Sequence, residues 1–115
     1  VNGPDQRLYR QEGLAEEDQP VKPITYTVVK SGLIGMTRYF AIYWGPKGVR
    51  VNAVSFAGVR AGQSDEFVRR YVQQVPLGRM AEPSEYQGTI LYLCADASRF
   101  LTGVNLVIDG GKSCW

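Results

Sequence analysis

Residues 25–55 read TYTVVKSGLIGMTRYFAIYWGPKGVRVNAVS, and this stretch decides the fold class. Apolar side chains recur at intervals of three and four residues in its first part, which predicts one amphipathic α-helix from about residue 25 to residue 44. Thr25 is the expected N-cap, because its hydroxyl can accept a backbone N–H, and Gly45-Pro46 is expected to end the helix. The predicted apolar stripe consists of Val29, Leu33, Met36, Phe40 and Trp44.

The pattern changes period after this helix. Residues 49–55 alternate apolar and polar side chains, which predicts a strand, and residues 104–108 form a second short apolar run. Between them, Ser64 is the expected cap of a second helix that ends before Pro76, and Pro83 is expected in the first turn of a third. The order helix, strand, helices, strand predicts an α/β layer fold with a parallel pair of strands.

The remaining segment, residues 1–23, is polar, contains an acidic run at residues 16–18, and shows no apolar period. We therefore predict a loop or flexible arm before a folded region at residues 24–115. Because residue 1 is Val rather than Met, we also expect the chain to be a fragment or a processed product.

Composition excludes several function classes. The formal charge of +2 is small and no basic run alternates with aromatic residues, so neither a nucleic-acid partner nor a membrane partner is expected. The chain has two cysteines, which are too few for a disulfide framework and favour a reducing cytoplasm. Histidine is absent, so no imidazole is available as a base or a metal ligand, and no metal site is predicted.

Cys94 is expected to be a small core residue of the third helix.

Tyr26 and Lys30 are the candidate catalytic residues. Residues four apart on a helix share a face. A phenol titrates at about pH 10, and a fixed ammonium group beside it stabilises the phenolate, so such a pair can exchange a proton with an alcohol or a carbonyl oxygen. Tyr43 and Lys47 have the same spacing. Gly45 and Pro46 lie between them, however, and are expected to break the alignment of that second pair.

Blocks of sequence around the Tyr26–Lys30 pair stand in an order and spacing typical of one family. They are residues 26–37 (YTVVKSGLIGMT), 48–55 (GVRVNAVS), 76–80 (PLGRM), 82–85 (EPSE) and 102–111 (TGVNLVIDGG). On these blocks, residues 24–111 closely resemble the C-terminal half of the short-chain dehydrogenase/reductase family. The resemblance implies half of a Rossmann-like, doubly wound parallel sheet, without the glycine-rich nucleotide-binding half.

The same resemblance implies roles for individual residues. Tyr26 would be the catalytic acid/base, and Lys30 would stabilise it and contact the nicotinamide ribose of NAD or NADP. The loop after the first strand would approach the nicotinamide, which makes Phe56, Ala57, Gly58 and Val59 candidate cofactor-binding residues together with Tyr26 and Lys30. Phe56-Ala57 stands where the family usually has Pro-Gly, so we expect the nicotinamide side of the site to be altered, with Phe56 bordering the cleft above the strand ends.

The family's catalytic Ser is absent, because residues 1–25 contain no Ser. The resemblance therefore implies the C-terminal part of an NAD(P)-dependent oxidoreductase that interconverts a secondary alcohol and a carbonyl, inactive as this chain alone. An alternative is a non-catalytic module that self-assembles or binds a partner. Because a sheet of two strands and a long apolar helix lack neighbours, we expect a homo-oligomer or docking to a homologous chain. The substrate and the choice between NAD and NADP stay open.

Overall fold

A computed structural model of the chain describes residues 3–114. Within these residues the elements follow the predicted order: α1 (Ile24–Trp44), β1 (Ala53–Phe56), α2 (Asp65–Val72), α3 (Gln87–Cys94) and β2 (Asn105–Ile108). Short 3-10 turns join or precede them at Gln6–Tyr9, Glu16–Asp18, Gly45–Lys47, Pro83–Tyr86 and Asp96–Ser98. The α/β class is therefore confirmed.

The strands β1 and β2 pair in parallel, as predicted, with Ala53 opposite Asn105 and Phe56 opposite Ile108. Both strands are shorter than the sequence pattern suggested, and β1 begins four residues later than the predicted start at Val49. The residues before Ala53 form only one backbone bond with the facing turn, from the Gly103 N–H to the Val51 carbonyl at 2.7 Å, and side chains make the other contacts. The Val51 N–H donates to the hydroxyl of Thr102 at 3.0 Å, and the Asn52 amide donates to the Leu101 carbonyl at 2.9 Å.

Helix α1 ends at Trp44 as predicted and begins one residue before the predicted start, but the capping at both ends differs from prediction. It begins at Ile24 with Pro23 at the N-cap position and no side-chain cap, so the assignment of Thr25 as the N-cap was wrong. The extended backbone of Pro23, at φ −65° and ψ 151°, directs the chain into the first turn. At the other end, the helix tightens into a 3-10 turn and the left-handed residue is Gly48, at φ +76°, rather than Gly45.

The face of α1 that is buried is narrow. Within the helix only Thr37 and Ala41 are buried, and they lie one turn apart. The predicted stripe divides in two: Phe40 and Trp44 are half-buried and stack with ring centroids 4.4 Å apart, whereas Val29, Leu33 and Met36 are exposed. Much of the apolar surface of α1 therefore faces solvent.

The core lies between α2 and the polar N-terminal segment. Leu8, Tyr71, Val75 and Met80 form one buried cluster, in which Leu8 is only 6% exposed. The predicted loop at residues 3–23 is thus held against α2. The guanidinium of Arg70 reinforces this contact by donating to the Arg10 carbonyl at 2.7 Å. One buried leucine creates no period, which is why the sequence pattern did not reveal the contact.

Helix α2 follows its sequence signals closely. The hydroxyl of Ser64 accepts from the backbone N–H of Phe67 at 3.2 Å, which confirms Ser64 as the cap. The helix ends at Val72, so Val75 lies in the turn beyond it.

Helix α3 follows the 3-10 turn that Pro83 opens, as predicted, but Cys94 is exposed rather than part of the core, so that prediction was wrong. The reason is that no residue of α3 is buried, so the face of the helix that carries Cys94 is open to solvent. No helix in the described part of the chain combines the length and apolar character needed to cross a membrane.

Candidate functional site

The predicted pair lies in the first turns of α1. Tyr26 and Lys30 share one helix face, and the Lys30 ammonium is 5.7 Å from the centroid of the Tyr26 ring. The Tyr26 side chain is partly exposed and Lys30 is exposed, so both can be reached from solvent. The prediction that one helix places them on a common face is confirmed, and their catalytic roles stay a prediction.

A second ammonium group lies closer to Tyr26. Lys22 precedes the helix and places its Nζ atom 4.7 Å from the Tyr26 ring centroid and 5.7 Å from that of Tyr9. The Gln6 side chain fixes the backbone at Lys22, accepting from its N–H at 2.9 Å and donating to its carbonyl at 3.2 Å. The N-terminal segment thus adds a cation to this end of α1. Spacing alone did not reveal Lys22, because it lies outside the helix.

The second tyrosine–lysine pair is aligned as well as the first. The Lys47 ammonium lies 5.7 Å from the Tyr43 ring centroid, the same distance as in the pair at Tyr26. The expectation that Gly45 and Pro46 would separate these side chains was wrong, because the 3-10 turn Gly45–Lys47 continues in the helical sense. Distance within the pair therefore does not distinguish the two sites. Their surroundings do, since Lys22 of the N-terminal segment also lies over the Tyr26 ring, whereas Tyr43 packs against Tyr39 and Trp44 of its own helix.

The surroundings of Tyr26 include two other tyrosines. Burial raises the pKa of the Tyr9 phenol, and the nearby Tyr26 raises it further. Burial likewise raises the pKa of Tyr71, with smaller contributions from Asp109 and Tyr26. Tyr9 and Tyr71 therefore remain protonated at neutral pH.

The loop after β1 holds the other candidate cofactor-binding residues. The N–H of Gly58 donates to the Tyr71 hydroxyl, and its carbonyl accepts from the Ala81 N–H at 3.2 Å. Val59 forms an isolated parallel bridge with Ala81. No residue other than glycine has a positive φ in the described range 3–114, so Ala57 fits this loop without strain.

Phe56 lies at the carboxyl end of β1, and its ring packs against Tyr86 with centroids 4.0 Å apart. Tyr86 and Ala57 line a cavity of about 170 Å³ beyond the ends of both strands, together with Ile108 and Asp109 of β2 and its following turn. Phe56 contacts Tyr86 but does not itself line this cavity, and its side chain is 44% exposed. Its predicted position at the cleft above the strand ends, where ligands bind in open α/β sheets, stays a prediction, as does its effect on a nicotinamide.

Charged groups lie at the rim of this cavity. The guanidinium of Arg79 donates twice to the Glu85 carboxylate, each time at 2.6 Å, and this pairing holds the pKa of Glu85 at about 2. Hydrogen bonds from Ser113 lower the pKa of Asp109, whose carboxylate also accepts from the backbone N–H of Gly111. Both carboxylates are therefore ionised at neutral pH and engaged within the chain.

The residues present fit part of a nicotinamide nucleotide site. The exposed ammonium of Lys30 and phenol of Tyr26 suit the hydroxyls of a ribose and the oxygen of a small alcohol or carbonyl. The polar backbone groups of Gly58, by contrast, are already bonded to Tyr71 and Ala81. A cofactor bound at this loop would therefore have to form its hydrogen bonds with backbone groups other than those of Gly58.

Sequence reasoning missed the residues that support this loop. Neither Tyr71 nor Lys112 was among the site residues predicted from the sequence. Their juxtaposition joins positions far apart in the chain, since the Lys112 ammonium lies 4.7 Å from the Tyr71 ring centroid. A buried tyrosine in an otherwise apolar stripe was the one available signal, because a buried hydroxyl usually has a hydrogen-bond partner.

Known proteins resemble most of the chain. Residues 14–113 match the sequence profile described as enoyl-(acyl carrier protein) reductase. D-arabinitol 2-dehydrogenase (ribulose-forming) of Candida tropicalis is 37% identical over 107 residues, which cover 85% of this chain and 38% of the relative. A 3-oxoacyl-(acyl-carrier-protein) reductase of Aquifex aeolicus is 34% identical over 95 residues, which cover 79% of this chain and 38% of the relative. The chain thus spans well under half the length of these relatives.

A solved structure resembles the fold over nearly the whole chain. A short-chain dehydrogenase of Leptospira borgpetersenii, solved with bound NAD+, superposes with a TM-score of 0.83 at 38% identity, covering 96% of this chain and 39% of that one. The matching profile, the related sequences and this superposition agree with the blocks recognised in the sequence. The chain therefore belongs to the short-chain dehydrogenase/reductase family of oxidoreductases.

Proposed function

We propose that this chain supplies the proton-transfer part of an NAD(P)-dependent oxidoreductase that interconverts a secondary alcohol and a carbonyl. The observation that carries the proposal is the position of Tyr26 and Lys30 on one accessible face of α1, with the ammonium 5.7 Å from the ring. The family supports the reaction type, and the relatives include dehydrogenases of polyols and sugars.

A bound nicotinamide cofactor would supply the hydride for the proposed reduction of a carbonyl. The Tyr26 hydroxyl donates its proton to the carbonyl oxygen, so that an alcohol forms as the C=O π bond breaks. The resulting phenolate is held beside the Lys30 ammonium, with the Lys22 ammonium over the same ring. In the reverse direction, the phenolate accepts the alcohol proton.

We further propose that the 115 residues alone lack this activity. They contain neither a glycine-rich nucleotide loop nor a Ser before Tyr26, and both belong to the family's active site. The cofactor, NAD or NADP, would therefore require polypeptide beyond this sequence. The two free, exposed cysteines support a reducing compartment such as the cytoplasm as the site of action.

The test uses protein expressed from the complete native gene, assayed with NAD+ or NADP+ and D-arabinitol or other secondary alcohols. Tyr26→Phe should lower kcat by about 10²- to 10⁴-fold, because it removes the proton donor. Tyr43→Phe is the matched control, since Tyr43 has a lysine at the same distance. Equal losses in both variants, or none in either, would contradict the assignment of Tyr26.

A second candidate function is a self-assembling or partner-binding module. The observation in its favour is the apolar surface of α1, where Val28, Tyr39 and Ile42 are exposed and Ile42 is 79% exposed. Such a surface is typical of an interaction site. We propose a second copy of this chain or a homologous chain as its partner, and the two functions are compatible in one molecule.

A further inference from the structure

Several hydrogen bonds hold the backbone of residues 56–59, among them the Ala57 N–H to the Ile108 carbonyl at 3.1 Å and the Gln63 side chain to the Val59 carbonyl at 2.8 Å. One further bond reaches this loop from α2. The N–H of Gly58 donates to the hydroxyl of Tyr71, a residue of α2 that lies thirteen positions further along the chain. Because the carbonyl of the same glycine accepts from Ala81, both polar groups of Gly58 are used within the chain. The hydrogen bond from Gly58 to Tyr71 therefore connects α2 to this loop.

Tyr71 is itself fixed from several sides. Its side chain is 6% exposed, and its ring stacks on Phe67 with centroids 5.8 Å apart. The Lys112 ammonium lies 4.7 Å from the ring centroid and donates to the side-chain oxygen of Gln74. The amide nitrogen of Gln74 donates in turn to the Asp5 carboxylate at 2.6 Å. The C-terminal turn, α2 and the N-terminal segment therefore meet at one tyrosine.

The protonation of these groups suits a structural contact. Burial raises the pKa of Tyr71, which keeps its phenol neutral. Burial lowers the pKa of Lys112, while the carboxylates of Asp5 and Asp109 act in the opposite direction. Tyr71 therefore offers Gly58 a neutral hydroxyl oxygen at physiological pH.

We propose that Tyr71 is a positioning residue for the loop Phe56–Val59, with its hydroxyl fixing the backbone at Gly58 and Lys112 fixing its ring. The consequence for catalysis rests on the proposed function, in which this loop approaches the nicotinamide. A displacement of about 1 Å in a group that positions a reactant can lower a rate about 10²-fold. The hydrogen bond to Gly58 stands independently of that function.

The first experiment measures amide hydrogen exchange by NMR in the 115-residue chain. Tyr71→Phe keeps the ring and removes the hydroxyl, so the Gly58 amide should exchange at least about tenfold faster and its proton resonance should shift upfield. Tyr9→Phe is the matched control, because Tyr9 packs in the same cluster against Phe67. The Ala53 N–H donates to the Val104 carbonyl, and the Ala57 N–H donates to the Ile108 carbonyl. Exchange of these two amides should be unaffected in both variants. Unchanged exchange at Gly58, or a uniform increase at all of these amides, would overturn the proposal.

The second experiment uses protein expressed from the complete native gene. Tyr71→Phe should raise the KM for the nicotinamide cofactor several-fold relative to Tyr9→Phe, with a smaller change in the KM for the alcohol. If the cofactor KM is unchanged while Gly58 exchange is faster, Tyr71 holds the loop without positioning the cofactor, and the catalytic part of the proposal is wrong. A wild-type protein without oxidoreductase activity would instead refute the proposed function, and the exchange result would still decide the role of Tyr71.

Discussion

Gly58 shows how one residue type permits the arrangement of the loop at residues 56–59. Its φ is not positive, so a left-handed backbone is not the reason for glycine here. The reason is space, because a Cβ atom at this position would lie 2.8 Å from Cζ of Tyr71 and 2.9 Å from Cε of Met80. The side chain that binds the Gly58 N–H thus occupies the volume that any larger residue would need.

We expect Gly58→Ala to lower the free energy of unfolding by about 1–3 kcal/mol, because the added methyl group overpacks the core. Urea denaturation followed by circular dichroism measures this change. Gly35→Ala is the matched control: Gly35 lies within α1, nothing is within 4 Å of its added Cβ, and alanine favours the helix by up to about 1 kcal/mol. A stability loss in both variants, or in neither, would show that the contact with Tyr71 is not the cause.

Asp5 gives the chain a pH dependence at the residue scale. A hydrogen bond from the Arg7 side chain, with further bonds from the Arg7 backbone and Gln74, holds the pKa of Asp5 at about 2, below its ordinary value of 3.8. Because the folded pKa is the lower one, the stabilisation is present above pH 3.8 and is lost as the pH falls towards 2.

We therefore expect the N-terminal segment to detach from α2 over this pH range. The resonances of Leu8 and Tyr9 report the detachment, and Asp5→Asn should weaken its dependence on pH. If wild type and Asp5→Asn respond identically between pH 3.8 and 2, the Asp5 carboxylate does not hold the segment.

At the scale of elements, α1 and α2 form for different reasons. In α2 the local signals agree: Ser64 caps the N-terminus, Asp65 and Glu66 occupy the first turn, and Arg69 and Arg70 occupy the last. The Ser64 hydroxyl accepts a hydrogen bond from a backbone N–H that has no partner within the helix, and the charged residues at the two ends interact favourably with the helix dipole. Helix α1 has no side-chain cap and no charged residue in either terminal turn. Its 21 residues are mostly apolar, so its stability comes from burying apolar side chains. Helix α2 is therefore specified locally, and α1 depends on what packs against it.

We expect Ser64→Ala to destabilise the chain by about 1 kcal/mol, because the N–H of Phe67 loses its acceptor. Ser64→Asp should restore most of this loss, since aspartate is also a good N-cap. Thr25→Ala is the informative comparison, because Thr25 has the sequence signature of a cap but is not one in the structure. Thermal unfolding should show a lower Tm for Ser64→Ala only, and a comparable decrease for Thr25→Ala would contradict the observed start of α1.

At the scale of the whole molecule, the chain exposes more surface than its mass requires. Its accessible surface is 8181 Å², whereas a folded monomer of 12.8 kDa exposes about 6,300 Å². The radius of gyration is 17.0 Å, compared with about 13 Å for a compact domain of this length. The surplus exceeds the roughly 800 Å² that one partner buries in a standard interface. Many of the exposed large apolar side chains lie on α1, which is why we propose a partner there.

We expect the isolated chain to self-associate at micromolar concentration through α1. Burying three or four apolar side chains supplies roughly 1.5–3 kcal/mol each, which is comparable to the stability of a small domain. Sedimentation velocity should show an oligomer for wild type, and Ile42→Glu should shift the population towards monomer. Phe100→Glu is the matched control, because Phe100 is fully exposed outside α1. A stable wild-type monomer, or equal effects of the two substitutions, would exclude α1 as the interface.

The chain's own order of residues determined its family, the sequence of its elements and the helical spacing of Tyr26 and Lys30. These features depend on the spacing of apolar residues and on turn residues such as Pro83. Both are set by residues close together in the sequence, so they can be recognised without knowledge of the tertiary structure. The cap of α2 could be predicted for the same reason. The limits of β1 could not, because Val51 and Asn52 bond to residues 101 and 102, about fifty positions away.

Only the tertiary structure decided what surrounds the site. It placed Leu8 in the core, set Lys22 over the Tyr26 ring, and aligned Tyr43 with Lys47 where the sequence predicted a break. It also joined Gly58 to Tyr71 and Lys112, three positions that share no period or motif. The physical reason is that such contacts follow from how the elements pack in three dimensions, and a side chain's neighbours across a core leave no regular spacing along the chain.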